Sequence, residues 1–369
     1  MQPLRGVKVV DLSTLLPGPL CTLLLAEAGA DVIKIERPAG DEMRGYEPKS
    51  GPDSVNFGLL NRGKKSVALD LKNATDREAA LALIDEADIV VEQFRPSVMS
   101  RLGLGYDEVA ARNPRLVYCS ITGYGQTGPK SSTAAHDLNY LAETGMLALS
   151  ADSNGAPVLP PALIADIAGG TYPAIMNILL ALRQRDQTGR GCHLDISMAD
   201  NLFTFMYWAL GNGWTGNGWP TPGGELVTGG TARYRVYRTL DGQYLAAAPL
   251  EDKFWQNFTR VIGAPELANA DGLDSAVQQR VAALIATQSA ETWIERFAGV
   301  DACTVRVVGL EHAVSDPHFA QRGLFDHKVR LSGGDVISAL PVPVAEVFRD
   351  KEKVKDAPLL AGGSPNFNI

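Results

Sequence analysis

Over the first 125 residues, short apolar runs alternate with stretches whose apolar positions recur every three or four residues. VKVVDLS, Val7 to Ser13, is an unbroken apolar run that predicts a buried strand. Pro17, Gly18 and Pro19 interrupt it, and CTLLLAEAGA follows with helical spacing up to Gly29. DVIKIER predicts a second strand and SVALDL a third; DIVVEQF, after the helical EAALALIDEA, predicts a fourth, and RLVYCSIT a fifth. Strands separated by helices predict a largely parallel α/β sheet of Rossmann-like type, joined by right-handed crossovers.

From His136 to Arg185 the pattern predicts two long helices separated by the loop DSNGAPVLPP. GNGWTGNGWPTPGG is rich in glycine and proline but carries Trp214 and Trp219, which predicts an extended connection that packs rather than a disordered one. ARYRVYRTLDGQYLAAAPL reads as a hairpin, Tyr234 to Leu240 and Gln243 to Ala248 about an Asp241-Gly242 turn. Helical LEDKFWQNFTRVIG, SAVQQRVAALIATQ and SAETWIERFAG follow, then short strands near Ala302 to Val308. The expected organisation is a large α/β unit over 1–210, a connection over 211–229, a small α+β unit over 230–310, and a return to the large unit over 311–369.

Length and composition fit this plan: 369 residues, 45% hydrophobic and 21% charged, supply the core of a two-unit globular protein. A net charge of −8 argues against nucleic acid or an anionic membrane as the main partner. Cys21, Cys119, Cys192 and Cys303 have no paired spacing and read as reduced, buried thiols of a cytoplasmic protein. Neither a leader pattern nor an apolar run of eighteen residues is evident, which predicts no secretion and no membrane span. Asn366 to Ile369 carry no address signal.

Against the acidic whole, basic residues gather on the early loops: Arg37, then Arg62, Lys64 and Lys65 in NRGKK, then Arg95 and Arg101. Loops after parallel strands lie at the carboxyl edge of the sheet, where such folds bind ligands, and the set suits a phosphorylated one. A solvated basic surface would look the same residue by residue. The first turn, LLPGPLCT, lacks G-x-G-x-x-G and no Walker sequence occurs, which argues against a nicotinamide dehydrogenase or a P-loop enzyme.

Three reactive side chains stand in apolar settings: His136 in AAHDLNY, Asp166 in LIADIAGG and Glu251 in APLEDKFW. His136 sits at a helix start, where the dipole favours the neutral imidazole that a general base requires. Asp166 is flanked by Leu163, Ile164 and Ile167, whose desolvation raises a carboxyl pKa, and Gly169 and Gly170 would let a ligand approach N–H groups. Glu251 beside an imidazole would fix its tautomer. Each has a plain structural role as well: His136 as a cap or core histidine, Asp166 as a helix N-cap, Glu251 as a first-turn acid. His193, His312, His318 and His327 show no metal-ligand spacing, so no metal is expected. Met198, Met206, Trp208 and Trp214 read as core or as an adaptable acyl pocket.

Together these segments resemble the family III CoA-transferase superfamily, the CaiB/BaiF-like proteins, and most closely its α-methylacyl-CoA racemase branch. The resemblance runs through GVKVVDLSTLLPGP, LAEAGADVIKIERP, NRGKKSVALDLK, EQFRPSVMSRLGLG and ITGYGQTGP, then AHDLNY, LIADIAGG, YRTLDGQYLAAAPLE and DACTVRV. It implies a large α/β domain, a smaller one and an interlocked homodimer whose active site joins the large domain of one protomer to the small domain of the other. It also implies an acyl-CoA substrate, with CoA near Arg37, Arg95, Arg101, Asp137 and Tyr140, and no cofactor beyond CoA itself.

In the racemase branch, the positions of His136 and Asp166 exchange a proton on either face of Cα and that of Glu251 supports the histidine. In the transferases, the position of Asp166 is a nucleophile that forms acyl anhydride and CoA thioester intermediates. All three residues are present, and the uninterrupted glycine run of some transferases is absent, although GG occurs at Gly223 and Gly229. Arg306 in DACTVRV stands where the family usually has proline, which bears on acyl size. A non-catalytic CoA-binding subunit is the alternative from another class; it predicts CoA binding without chemistry at His136 or Asp166.

Overall fold

The computed structural model describes residues 2–152, 154–216, 218–362 and 366–367. The chain forms two compact units, one of Met1–Thr144, Pro160–Phe205 and Pro317–Ile369, the other of Gly145–Leu159 and Met206–Asp316. Asn217 of the connection, Ser153 of the DSNGAPVLPP loop, and Asn368 and Ile369 of the C-terminal tetrapeptide lie outside the described residues.

The first unit is built on a six-stranded sheet: β1 (Lys8–Leu12), β2 (Asp31–Glu36), β3 (Lys65–Ala68), β4 (Ile89–Glu92), β5 (Val117–Thr122) and β6 (Cys192–Ser197). The order is β3-β2-β1-β4-β5-β6, with every neighbouring pair parallel. Val9, Val10, Ile33, Val90 and Val91 are fully buried, as strands covered on both faces require. Because the order reverses between β1 and β4, a crevice opens at their carboxyl ends, the usual ligand position in such sheets.

The turn leaving β1 meets α1 (Pro17–Glu27) without the expected glycine fingerprint. A single glycine serves close packing there: a Cβ at Gly18 would lie 2.2 Å from that of Ser13. The Gly18 N–H instead donates to Gln93 Oε1 on the segment after β4, at 3.1 Å. Every residue of α1 is buried, which explains why its leucines recur without a polar face.

The C-terminal stretch rejoins this unit through a three-stranded sheet of Lys328–Arg330, Val336–Ser338 and Val354–Asp356. One carboxylate, Glu27 at the end of α1, ties it down by pairing Arg62 at 2.9 Å, Arg349 at 3.2 Å and Lys355 at 3.5 Å.

Several sequence expectations need correction. The first of the two long helices is only α2 (Asp137–Glu143), because Gly145 takes a left-handed φ of 84° and Thr144 Oγ1 bonds back to the Tyr140 carbonyl. The second is long: a π-helical segment, Ala165–Thr171, runs straight into α3 (Tyr172–Thr188). This continuous helix is long and apolar enough, by length and composition, to cross a membrane, contrary to the reading that no such stretch exists. Ala174, Ile178, Ala181 and Leu182 are its buried face, while Tyr172, Met176, Leu179 and Leu180 are exposed.

The supposed extended connection begins as a helix, Tyr207–Trp214, and Trp219 lies over Gly213, where a side chain would collide with its ring. No disulfide joins the cysteines, but only Cys21 and Cys119 are buried; Cys192 is on the edge strand β6 and Cys303 is exposed.

In the second unit β7 (Arg235–Arg238) and β8 (Tyr244–Ala247) form the hairpin, and β9 (Thr304–Arg306) pairs antiparallel on the other side of β8. Tyr237, Leu245 and Ala247 face a core containing Trp255, Phe258, Trp293 and Phe297. Both buried indoles are satisfied, Trp255 by the Leu267 carbonyl at 2.9 Å and Trp293 by that of Ile285 at 2.8 Å. On the opposite face Val236 and Val305 stand exposed, flanking Ala246.

Candidate active site

Beneath the carboxyl edge of the first sheet lies a layer of paired charges. Asp11 accepts from Ser13, from Thr22 Oγ1 at 2.6 Å and from Lys64 Nζ at 3.1 Å. Lys34 Nζ reaches the Ser13 carbonyl at 2.6 Å and Asp41 at 2.9 Å. Burial alone would raise the Asp11 pKa, but Lys64, Lys34 and two hydroxyls together hold it well below the usual carboxylate range. Burial pushes Lys64 down to about 8 against the pull of Asp11.

This layer corrects the reading of NRGKK as phosphate ligands. Lys64 is spent on Asp11, Asn61 and the Pro19 carbonyl; Arg62 on Glu27 and the Leu59 and Leu340 carbonyls; Lys65 on Asp31. These side chains are engaged by partners within the fold, Lys64 and Arg62 fully buried and Lys65 partly so, and sequence proximity to the other cations was misleading.

Above the layer a cavity of about 530 Å³ is lined by Thr14, Arg37, Lys72, Phe94 and Arg101 among others. Arg37 bonds the Gly40 carbonyl through Nε and pairs loosely with Glu42 at 3.4 Å, both side chains more than half exposed. Arg101 is anchored by Ser97 Oγ at 2.7 Å. Lys72 carried no sequence signal beyond lying after a strand. Glu36, at the end of β2, stands where a dinucleotide enzyme would read a ribose hydroxyl. Its carboxylate is instead filled by Arg44 at 2.7 and 2.8 Å, Ser66 at 2.5 Å and the Asp41 N–H at 2.8 Å, which leaves the dehydrogenase reading without its ribose ligand.

A second cavity, about 390 Å³, shares Thr14 and Phe94 with the first and is lined by Gln93, Arg95, His136, Tyr140, Asp166 and Met198. His136 and Asp166, thirty positions apart, are thus brought to one space. His136 is the N-cap of α2, and its backbone N–H donates to Asn139 Oδ1 at 3.0 Å, which fixes the start of the helix while the ring stays exposed. Tyr140 O–H donates to the Ala135 carbonyl at 2.9 Å.

Asp166 is not an N-cap, as its sequence setting predicted; it lies in the first turn of the π-helical segment. The cap comes from elsewhere: the Asp137 carboxylate accepts the Asp166 N–H at 3.0 Å. Burial, then the charge of Asp137, raises the Asp166 pKa to about 7. Gly169 and Gly170 do not form the expected oxyanion cradle. They are buried, and a Cβ on Gly169 would sit 2.3 Å from the Met198 carbonyl oxygen, so the missing side chains let the helix close against the short helix Met198–Leu202 that follows β6.

Other sequence candidates fall outside these cavities. Glu251 belongs to the second unit, where it is the exposed N-cap of Asp252–Val261 with no side-chain capping bond; Asp252 serves as the first-turn acid and pairs with Arg233. Arg306 projects from β9 to pair with Glu291 at 3.1 Å. Met206 is buried, Trp208 and Trp214 are exposed, and all three lie in the second unit. His193 bonds Ser120 Oγ at 2.9 Å and stacks on Tyr106. Among the described residues no cluster of three His, Cys, Asp or Glu side chains is arranged to hold a metal ion.

The sequence and fold both have close counterparts. The chain is 33% identical over 327 residues to the alpha-methylacyl-CoA racemase of Homo sapiens, covering 87% of this chain and 82% of that one. It is 32% identical over 378 residues to the acetyl-CoA:oxalate CoA-transferase of Acetobacter aceti, covering 97% and 93%. A CAIB/BAIF family protein from Brucella suis superimposes with a TM-score of 0.82 at 28% identity, covering 98% of this chain and 97% of that one. The family description CoA-transferase family III matches residues 4–361. With a match of that extent and relatives on both its branches, the chain belongs to CoA-transferase family III.

Proposed function

We propose that the protein is an isomerase that inverts the α-carbon of 2-methylacyl-CoA thioesters by 1,1-proton transfer. The observation that carries this reading is the second cavity: an imidazole and a carboxyl that holds a proton near neutrality line the same space. One removes the α-proton and the other delivers a proton to the opposite face; the roles exchange for the other enantiomer. A pKa near the working pH lets Asp166 serve in both directions, and such acid/base positioning contributes on the order of 10²–10⁴-fold.

The enolate oxygen needs donors. Since Gly169 and Gly170 pack on protein, the Asp137 and Leu138 N–H groups at the start of α2 are the better source, those of Asn139 and Tyr140 already donating to the His136 carbonyl. The CoA nucleotide fits the first cavity beside Arg37 and Arg101, and its pantetheine arm the shared wall leading past Arg95 and Tyr140. CoA arrives as part of the substrate, and no other cofactor is called for by this chemistry.

Glu251 would join His136 from a second copy of the chain in a cytoplasmic homodimer. Exposed Tyr172, Met176, Leu180 and Phe205, all in the first unit, are the kind of apolar side chains that a protein partner covers. A CoA-transferase with Asp166 as nucleophile is the second reading, favoured by the acetyl-CoA:oxalate CoA-transferase that matches 97% of the chain. Incubation of a 2-methylacyl-CoA in D2O with no second carboxylic acid separates the two. Deuterium at Cα with loss of stereochemistry is expected. No exchange, together with a hydroxylamine-trappable acyl adduct on Asp166, would assign the transferase.

A further inference from the structure

The resemblance made Asp137 a contact of the pantetheine arm, but the structure gives its carboxylate another task. We infer that Asp137 is a positioning residue for the proton transfer, its buried side chain capping the helix that carries Asp166 and so leaving the Asp166 carboxyl free to face the cavity. This rests on the proton-transfer reading above.

Three observations carry it. Asp137 is only 5% exposed, and its carboxylate accepts the Asp166 N–H at 3.0 Å and is further stabilised by the Ala165 N–H. The residue at the expected cap position, Ile164, has no side-chain acceptor, and its own φ and ψ are already helical. A helix of this length needs its first N–H groups satisfied, and an Asp in the first turn would ordinarily turn back to do it. Asp137, from α2, does it instead, so Asp166 escapes the capping geometry.

The same contact sorts the two acids. Burial raises the Asp137 carboxyl pKa, and the two N–H donors at the helix start pull it back toward the charged form; on Asp166, burial and the Asp137 charge both favour the neutral form. Other titratable groups sit on the elements packed against the segment: Cys21 and Glu27 on α1, Tyr140 on α2, Asp195 on β6 and Asp200 on the helix after it. His136 and Arg95 face the same cavity. The charge that raises the Asp166 pKa is that of Asp137, not of any of these.

The test compares Asp137→Asn, which keeps an acceptor oxygen but not the charge, with Asp137→Ala, which keeps neither, using Cα deuterium exchange of a 2-methylacyl-CoA. For Asp137→Ala we expect kcat to fall about 10²-fold, the scale of a small misplacement of a catalytic group, with KM within about twofold of the parent. Asp137→Asn should recover much of that kcat, while the limb of the pH–rate profile set by Asp166 moves to lower pH. The sign follows from the charge: without it Asp166 loses its proton more easily, so both directions of the reaction shift their Asp166 limb downward.

A raised KM with intact kcat in either variant would overturn the inference in favour of pantetheine binding, and an unmoved limb with parental kcat in Asp137→Asn would remove the charge effect. If the parent itself shows no exchange but forms an Asp166 acyl adduct, the racemase reading fails separately. The same variants then test positioning through the rate of adduct formation, where an unchanged rate in both would overturn it. Should Asp137→Ala not fold, Asp137→Asn alone still decides through its pH limb.

Discussion

Asp11 and Asp166 are carboxyls of the same unit held in opposite states. Asp11 is fully buried yet stays ionised, because Lys64 and Lys34 stand beside it and Ser13 and Thr22 donate to it. Asp166 is less buried but keeps its proton to about pH 7, because burial raises its pKa and its charged neighbour, another acid, adds to the rise instead of opposing it. Burial raises the pKa in both; the partner decides the outcome. The cations divide in the same way. Lys64 and Arg62 end inside the fold on carboxylates and carbonyls, whereas Arg37 and Arg101 reach a cavity. Charges spent on each other fold the protein, and charges left at the rim remain available to a ligand.

Breaking either side of this contrast should give distinct results. The largest effect is expected on chemistry: Asp166→Asn, which cannot exchange a proton, should lower Cα exchange by about 10³-fold or more while CoA binding persists. Lys64→Met should leave exchange chemistry intact in the folded fraction but cost about 3–5 kcal/mol in urea unfolding, since Asp11 loses a partner in a site without solvent.

The pH dependence of stability should show both aspartates. Asp166 has a folded pKa of about 7, above its unfolded value, so the native state binds more protons and stability falls as pH rises from about 4 to 7. Burial likewise raises Glu92 to about 7 and adds to the same trend. Asp11 runs the other way: its contribution is present above the usual carboxylate range and is lost as pH falls below it. Asp166→Asn should therefore flatten the decline between about pH 4 and 7, by roughly 2–4 kcal/mol at most; an unchanged slope in denaturant titrations at the two pH values would contradict the assignment. The smallest effect belongs to the rim: Arg101→Ala should raise KM for acyl-CoA about 5- to 20-fold with kcat unchanged, and alter stability by no more than about 0.5 kcal/mol.

The sheet was legible because its signal is local. Apolar runs of four to six residues bounded by Gly, Pro and Asp specify β1, β2, β4 and β5 without reference to anything distant. The α2 region was read as too long because apolar spacing continues through Leu147 while the backbone reverses at Gly145. The connection at 211 was read as extended because its glycines hid a helix that ends at Trp214. For the candidate site, residue type and resemblance pointed to His136 and Asp166, but their shared cavity had to come from the fold.

By itself the sequence determined the alternation of strands and helices, the family, and which side chains carry reactive groups, since each is written in neighbouring residues or in motif spacing. Only the tertiary structure decided which cations are consumed and which acid caps the Asp166 helix. Those outcomes depend on pairs such as Asp11 with Lys64, 53 positions apart, and Asp137 with Asp166, 29 apart. A charge's effect depends on distance and dielectric, and neither is a property of the chain until it has folded.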